Sequence, residues 1–205
     1  MKHIIINIGR QLGSGGHDIG RMLALDFQAK YYDRELMNLA AKESGFSEKF
    51  FEQNDEKKGF FKGLFNVQTS HVSGGSMYKT NFSQESLFQF QSDAIIKAAR
   101  EGSCVFVGRC ADYVLRDFGN TVNIFVSASM PYRIEQIMNK QHLDYEAARK
   151  FIEQKESKRA AYYNYYTGKK WGAAESYDLC IDSSILGFVE TEKIIADFIR
   201  KRFKL

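Results

Sequence analysis

Ile4-Ile5-Ile6-Asn7-Ile8, then Gly9-Arg10-Gln11-Leu12-Gly13-Ser14-Gly15-Gly16-His17-Asp18, then Ile19-Gly20-Arg21-Met22-Leu23-Ala24 form an apolar run, a glycine-rich turn and an amphipathic pattern. The run reads as a buried strand that feeds a helix. Glycines at 13, 15 and 16 permit positive φ and let backbone N–H groups come close to an anion. The helix N-terminus adds free N–H donors and a partial positive charge. The stretch therefore predicts a phosphate cradle made by Arg10, Gly13, Ser14, Gly15, Gly16, His17 and Asp18. The lysine of the G-x-x-x-x-G-K-[ST] motif is absent, and the spacing is not that of a dinucleotide fingerprint.

Outward from this unit, short β-rich runs alternate with helical patterns. Strands are expected at 3–8, Lys30–Tyr32, Cys104–Val107, 122–126 and Leu179–Asp182. Ile19, Met22, Leu23 and Phe27 share one helix face, as do Ile134, Ile137 and Met138, and later Ile194, Ile195, Phe198 and Ile199. Such alternation predicts βαβ units and a parallel sheet covered on both faces, with ligands at the carboxyl ends of the strands. Stretch 54–82 breaks the rhythm and is too long for an ordinary connection. It reads as a mobile insertion over the site, with a floppy surface loop as the alternative. A helix is expected from about 83 to 101.

Composition bounds the function. A chain of 205 residues, 44% hydrophobic and with one proline, fits a single domain with a full core and no long disordered linker. The net charge of +4 suits a phosphorylated ligand without demanding nucleic acid. No apolar run approaches a membrane span, and the start at Ile4 is too short for a signal peptide. Cys104, Cys110 and Cys180 are expected to be reduced core thiols, which points to a cytoplasmic address. Their spacing gives no metal site, and no metal ligand is assigned.

Three further constellations carry chemistry. Asp33 follows Tyr31-Tyr32 at the end of the second strand, either as a helix cap or as a cleft-facing base or magnesium-side acid. Arg109 follows a buried strand and Gly108, where a guanidinium can grip phosphate bidentately; the alternative is a surface salt bridge, for instance with Asp112. Lys155 and Arg159 share a helix face with Tyr162 and Tyr166, which suits a nucleotide's phosphates or the bases of a single strand.

Together these elements resemble the cytidylate-kinase-like family of P-loop nucleoside monophosphate kinases. The carriers are Gly9 to Gly20, Tyr32-Asp33-Arg34-Glu35-Leu36, Val107-Gly108-Arg109-Cys110-Ala111-Asp112, Lys158-Arg159-Ala160-Ala161-Tyr162-Tyr163, Tyr166-Thr167-Gly168, Trp171-Gly172 and Tyr177 to Asp182. The resemblance implies a three-layer α/β/α P-loop fold with a five-stranded parallel sheet. It also implies a nucleotide-binding insertion at about 54–82 and a lid-like helical region at about 140–175. Carried over, Arg109 holds the acceptor's phosphate, Asp33 lies near the acceptor, and Lys158 and Arg159 close on the moving phosphoryl. Asp182 resembles the segment beside the base, although capping the next helix is the stronger reading.

The family's lysine falls at Gly16, and His17 and Asp18 replace its glycine and hydroxyl residue. Ser14 is an imperfect substitute for that hydroxyl, and Arg10 or Arg21 are the candidates for the missing charge. The expected activity is ATP- or other NTP-dependent phosphoryl transfer, with Mg²⁺, to a nucleoside monophosphate or similar small acceptor. The alternatives are a nucleotide-binding sensor without turnover and, more weakly, a single-strand nucleic-acid binder. No membrane partner is expected, and the oligomeric state is not readable.

Overall fold

The computed structural model describes residues 3–33 and 84–205. The expected insertion at 54–82, with Arg34, Glu35 and Leu36, lies outside the described residues. Elements are numbered along the described chain: β1 Ile5–Arg10, α1 Gly16–Asp26, β2 Lys30–Tyr32, α2 Gln84–Glu101, β3 Cys104–Val107 and α3 Ala111–Val114. They continue as β4 Thr121–Ser127, α4 Met130–Gln141, α5 Tyr145–Thr167, a 3-10 turn Ala174–Ser176, β5 Leu179–Asp182 and α6 Ser183–Phe203.

All strand pairs are parallel, in the order β2-β3-β1-β4-β5. β1 lies centrally, with Ile5 opposite Cys104 on one side and Thr121 on the other. Alternation along β1 sorts its side chains between two cores. Ile4, Ile6 and Ile8 face α1 and α6 with Ile19, Leu23, Ile195 and Ile199. Ile5 faces the opposite side with Ala94, Ile95, Ala98 and Phe106, under α2 and α3. Each such fully buried Ile or Leu stabilises the fold by about 1.5–3 kcal/mol. The result is the three-layer parallel fold expected from the sequence.

β1 runs two residues past its expected end. Its ladder with β4 continues through Gly9 opposite Phe125 and Arg10 opposite Val126. Arg10 is thus the last residue of a strand rather than part of the turn. Cys104 and Cys110 are buried as expected, but Cys180 is exposed because β5 is an edge strand.

A third core joins α4 to α5 through Ile134, Ile137, Ala148 and Ile152. Asp144 caps α5 by accepting from the Ala147 N–H at 2.8 Å. One turn beyond Ile152, Glu156 Oε1 accepts from the Leu12 N–H at 2.9 Å and from Arg133 Nη1 at 2.7 Å. The Arg133 and Glu156 side chains are only 5% and 16% exposed. Arg133 Nε also donates to the Ala128 carbonyl at 2.9 Å. This buried pair clamps the glycine loop between α4 and α5. Removing one partner of such a pair leaves the other charge buried and costs about 3–5 kcal/mol. Glu156→Ala is expected to lower unfolding stability by about that amount in urea titrations, and a loss below about 1 kcal/mol, the range of an exposed pair, would show that the clamp is not structural.

Candidate active site

The glycine loop is held in shape from outside. The Ser14 hydroxyl donates to the Gln11 and Val126 carbonyls at 2.9 and 3.0 Å. Ser183 donates to the Ser14 carbonyl at 2.7 Å, and the Ala128 N–H donates to Gln11 Oε1 at 3.1 Å. Ser14 is fully buried, so its hydroxyl is turned into the fold and not toward a ligand. Gly15 takes φ 73° as the N-cap of α1, and a Cβ there would overlap the Phe188 ring. The first helical bond runs from the Ile19 N–H to the Gly15 carbonyl at 2.9 Å, leaving the amides of Gly16, His17 and Asp18 without intrahelical acceptors. The Asp18 side chain is exposed and lies 4.0 Å from Arg21, which is exposed in turn and sits over Tyr31 at 5.4 Å.

Beside the loop, at the carboxyl ends of β1 and β3, lies a cleft of about 310 Å³. Arg10, Arg109, Lys158 and Arg159 all line it, whereas Gly13 to Asp18 lie outside its lining. Arg159 Nη1 donates to the Arg10 carbonyl at 3.4 Å, and the Arg109 guanidinium lies 5.5 Å from the Tyr162 ring centroid. Burial, then the charges of Arg159 and Arg109, lower the Arg10 pKa to about 9, while Tyr31 and Asp33 raise it. Arg10 stays charged at neutral pH, so this cost becomes a preference for an incoming anion. The Asp33 charge is also felt by His17 and Tyr31, which places its field on the loop side of the cleft.

Arg109 reaches the cleft through strained backbone. Gly108, Arg109 and Cys110 take φ of 81°, 61° and 55° in succession. Non-glycine residues enter this region at a cost of about 1–2 kcal/mol each, and such strain concentrates at ligand sites. Asp112, two residues on, accepts from the Tyr163 hydroxyl at 2.6 Å, and burial raises its pKa.

The remaining candidates separate cleanly. Asp182 accepts from the Ser184 N–H at 2.8 Å and caps α6, so the capping reading holds. The aromatic face of α5 is engaged within the chain: Tyr166 stacks on Phe88 at 4.1 Å, and the Tyr162 hydroxyl donates to Gln91 at 3.4 Å. Residues not anticipated from sequence are Glu156, Arg133, Tyr31 and the Asp112–Tyr163 pair. Glu156 had a signal: it lies four residues after buried Ile152 and three before Arg159, on the same face of α5.

A five-stranded parallel sheet with a glycine loop between its central strand and first helix, and a basic cleft at the strand carboxyl ends, defines a P-loop kinase type of fold. The cytidylate kinase-like family model matches residues 5–185, and the chain belongs to that family. An uncharacterized protein from Eubacterium ventriosum ATCC 27560 has a crystal structure that is similar over 96% of this chain and 98% of that one. It is 25% identical, with a TM-score of 0.73. Shikimate kinase from Bacteroides thetaiotaomicron is similar over the whole of both chains, at 10% identity and a TM-score of 0.53. Shikimate kinase from Acinetobacter baumannii, in complex with shikimate, covers 98% of this chain and 94% of its own, at 10% identity and a TM-score of 0.50. A search of curated proteins finds no match. Family membership supports nucleotide-dependent phosphoryl transfer as the class of chemistry.

Two measurements check this geometry. Alanine and glycine at 109 both remove the guanidinium, but only alanine keeps the left-handed strain. Arg109→Ala is therefore expected to unfold about 1–2 kcal/mol more easily than Arg109→Gly, and equal stabilities would mean that residue 109 is not left-handed. Burial and the Arg10 charge lower the His17 pKa to about 4 from an unfolded value of 6.5. The folded state thus binds fewer protons, so this contribution to stability is fully present above pH 6.5 and is lost as pH falls toward 4. The imidazole should titrate in NMR with a midpoint of about 4 rather than near that of a free histidine, and an unshifted midpoint contradicts the neutral, half-buried ring.

Proposed function

We propose that the protein transfers a phosphoryl group from ATP or another nucleoside triphosphate to a nucleoside monophosphate of the cytidylate kind, or to a similar small phosphate acceptor. The supporting observation is the convergence of Arg10, Arg109, Lys158 and Arg159 on one cleft beside the glycine loop. The first-turn amides of α1, at Gly16 to Asp18, bind the donor's phosphates, with Gly13 to Gly15 shaping their approach. Arg109 fixes the acceptor's phosphate by paired charge-assisted hydrogen bonds. An oxygen of that phosphate forms a bond to the γ-phosphorus as the bond to the bridging β–γ oxygen breaks, and the nucleoside diphosphate leaves. Lys158 and Arg159 stabilise the charge on the phosphoryl in transit.

An acceptor phosphate is already largely ionised at neutral pH, its second pKa being about 6. Its attacking oxygen therefore needs no general base, and Asp33 serves on the magnesium side. Among the described residues no three His, Cys, Asp or Glu side chains converge as metal ligands. Mg²⁺ would be held chiefly by the triphosphate and water, with Asp33 as the hard-oxygen carboxylate partner. Mg²⁺, when bound, neutralises the β- and γ-oxygens. The protein works in the cytoplasm as a single domain, in which 140–175 forms the lid-like region.

A coupled assay with ATP, Mg²⁺ and a panel of monophosphates is expected to show turnover with at least one pyrimidine nucleotide. Arg109→Met should then lower kcat/KM for the acceptor by about 10²-fold, the worth of a charge-assisted bidentate contact. No turnover with any acceptor, alongside measurable triphosphate binding, sinks the kinase reading and favours a nucleotide sensor.

A further inference from the structure

We propose that Arg10 and Gly16 have exchanged the two roles of the usual phosphate motif, so that Arg10 is the catalytic cation that the lysine at the Gly16 position would otherwise supply. This rests on the phosphoryl-transfer reading and identifies a residue within that site. In G-x-x-x-x-G-K-[ST] the first glycine lies five residues before the second, and the lysine follows the second. With Gly15 as the second glycine, Arg10 stands at the first and Gly16 at the lysine.

The two positions face each other. A Cβ on Gly16 would lie 2.5 Å from the Arg10 Cβ and 2.8 Å from its Cγ. The arginine's stem therefore fills the space a lysine stem at 16 would need, and no side chain at 16 can coexist with it. Farther out, Arg10 Nη1 lies against Gly108, where a Cβ would overlap it, so the guanidinium reaches the carboxyl end of β3. The charge thus projects from β1, along the helix start, into the cleft that Arg109 and Arg159 share. Arg21, the other candidate, is exposed beside Asp18 and does not line the cleft.

The guanidinium is oriented rather than loose. Arg10 Nη2 lies 3.1 Å from His17 Nε2, and His17 Nδ1 lies 3.0 Å from the Tyr31 hydroxyl. Arginine can only donate, so His17 Nε2 must be the bare acceptor and Nδ1 must carry the proton that it donates to Tyr31. His17 and Tyr31 are thus positioning residues, and the neutral ring adds no competing cation. Arg10 Nε is buried with no hydrogen-bond partner among the described residues, an orphan donor in a site built for an anion.

The experiment combines steady-state turnover with calorimetry of ATP and ADP on the full chain. Arg10→Met keeps the stem on Gly16 and removes the charge. It is expected to lower kcat by about 10³-fold, the low end for an arginine on a transferring phosphoryl, and to weaken ATP more than ADP. Arg21→Gln should leave turnover unchanged. Gly16→Lys alone clashes with the Arg10 stem and Arg10→Gly alone lacks the charge, so each should be impaired. The double variant Arg10→Gly with Gly16→Lys restores the usual arrangement and should regain at least tenfold in kcat over Arg10→Gly. Circular dichroism verifies that each variant is folded.

If wild-type turnover is present and Arg10→Met, folded, retains it, the assignment to Arg10 is overturned while the kinase reading stands. If the wild type turns over no acceptor, the kinase reading fails, and the ATP-against-ADP preference decides for Arg10. Its loss in Arg10→Met supports the assignment, and its persistence overturns it.

Discussion

A parallel strand buried on both faces can present chemistry only at its ends, and that constraint organises this protein. β1 is flanked by β3 and β4 and covered by apolar side chains above and below, so polar groups gather at its carboxyl edge. Two turns leave that edge close together, one after β1 and one after β3. The last residue of β1, Arg10, and the tight turn after β3, through Arg109, bring two arginines to the same cleft. The extra two residues of β1 matter here. Pairing with β4 through Arg10 fixes the backbone from which its guanidinium projects, which a flexible loop residue would not do.

Like charges so close together need a reason to stay. Burial and mutual repulsion lower the Arg10 pKa, and Tyr31 and Asp33 partly offset them. Asp33 acts from the end of β2 through its field. Glu156 acts elsewhere, on Arg133 and the Leu12 amide, so it holds the loop without neutralising the cleft. Positive potential is therefore left over on the cleft side, and an incoming polyanion relieves it. The strain at Arg109 and Cys110 follows the same logic, because stability is lower where a ligand is to be gripped.

Most of the architecture was legible from Ile4 onward. Apolar runs of β-branched residues with helical patterns between them dictate a parallel sheet, and three of the five strands fall within their expected limits: Lys30–Tyr32, Cys104–Val107 and Leu179–Asp182. β1 lies two residues beyond its expected position because Gly9 and Arg10 carry no strand propensity; their pairing with Phe125 and Val126 is tertiary. The exposure of Cys180 is not readable from sequence, because an edge strand and a central strand look alike over four residues. Of the candidate residues, Arg109, Lys158 and Arg159 line the cleft and could be picked out by local signatures in a strand end and a basic helix face, whereas Asp33 lies outside its lining. The Arg133–Glu156 clamp could not, because its partners lie 23 positions apart and neither stands in a motif. Nor could sequence choose between Arg10 and Arg21, both a few residues from Gly16; only the packing of one stem on that glycine separates them.

The anchoring of α5 gives a different picture of the basic cleft. α5 is fixed at Asp144 by its cap, at Ala148 and Ile152 by an apolar core, and at Glu156 by the buried pair. Further along, Tyr162 and Tyr163 tie it to Gln91 and Asp112. Lys158 and Arg159 sit between the last two sets of anchors on unbroken helix. Their backbone cannot swing away without breaking a buried ion pair or exposing apolar surface, so their charges stand over the cleft before any ligand enters. Only side-chain rotation is left to bring them onto an anion in the cleft. Pre-positioned cations spend little reorganisation at the moment of reaction, which is where electrostatic stabilisation of a transition state is most effective. The ordering cost has been met in advance by the same contacts that fold the chain, the Glu156 clamp and the Tyr163–Asp112 bond.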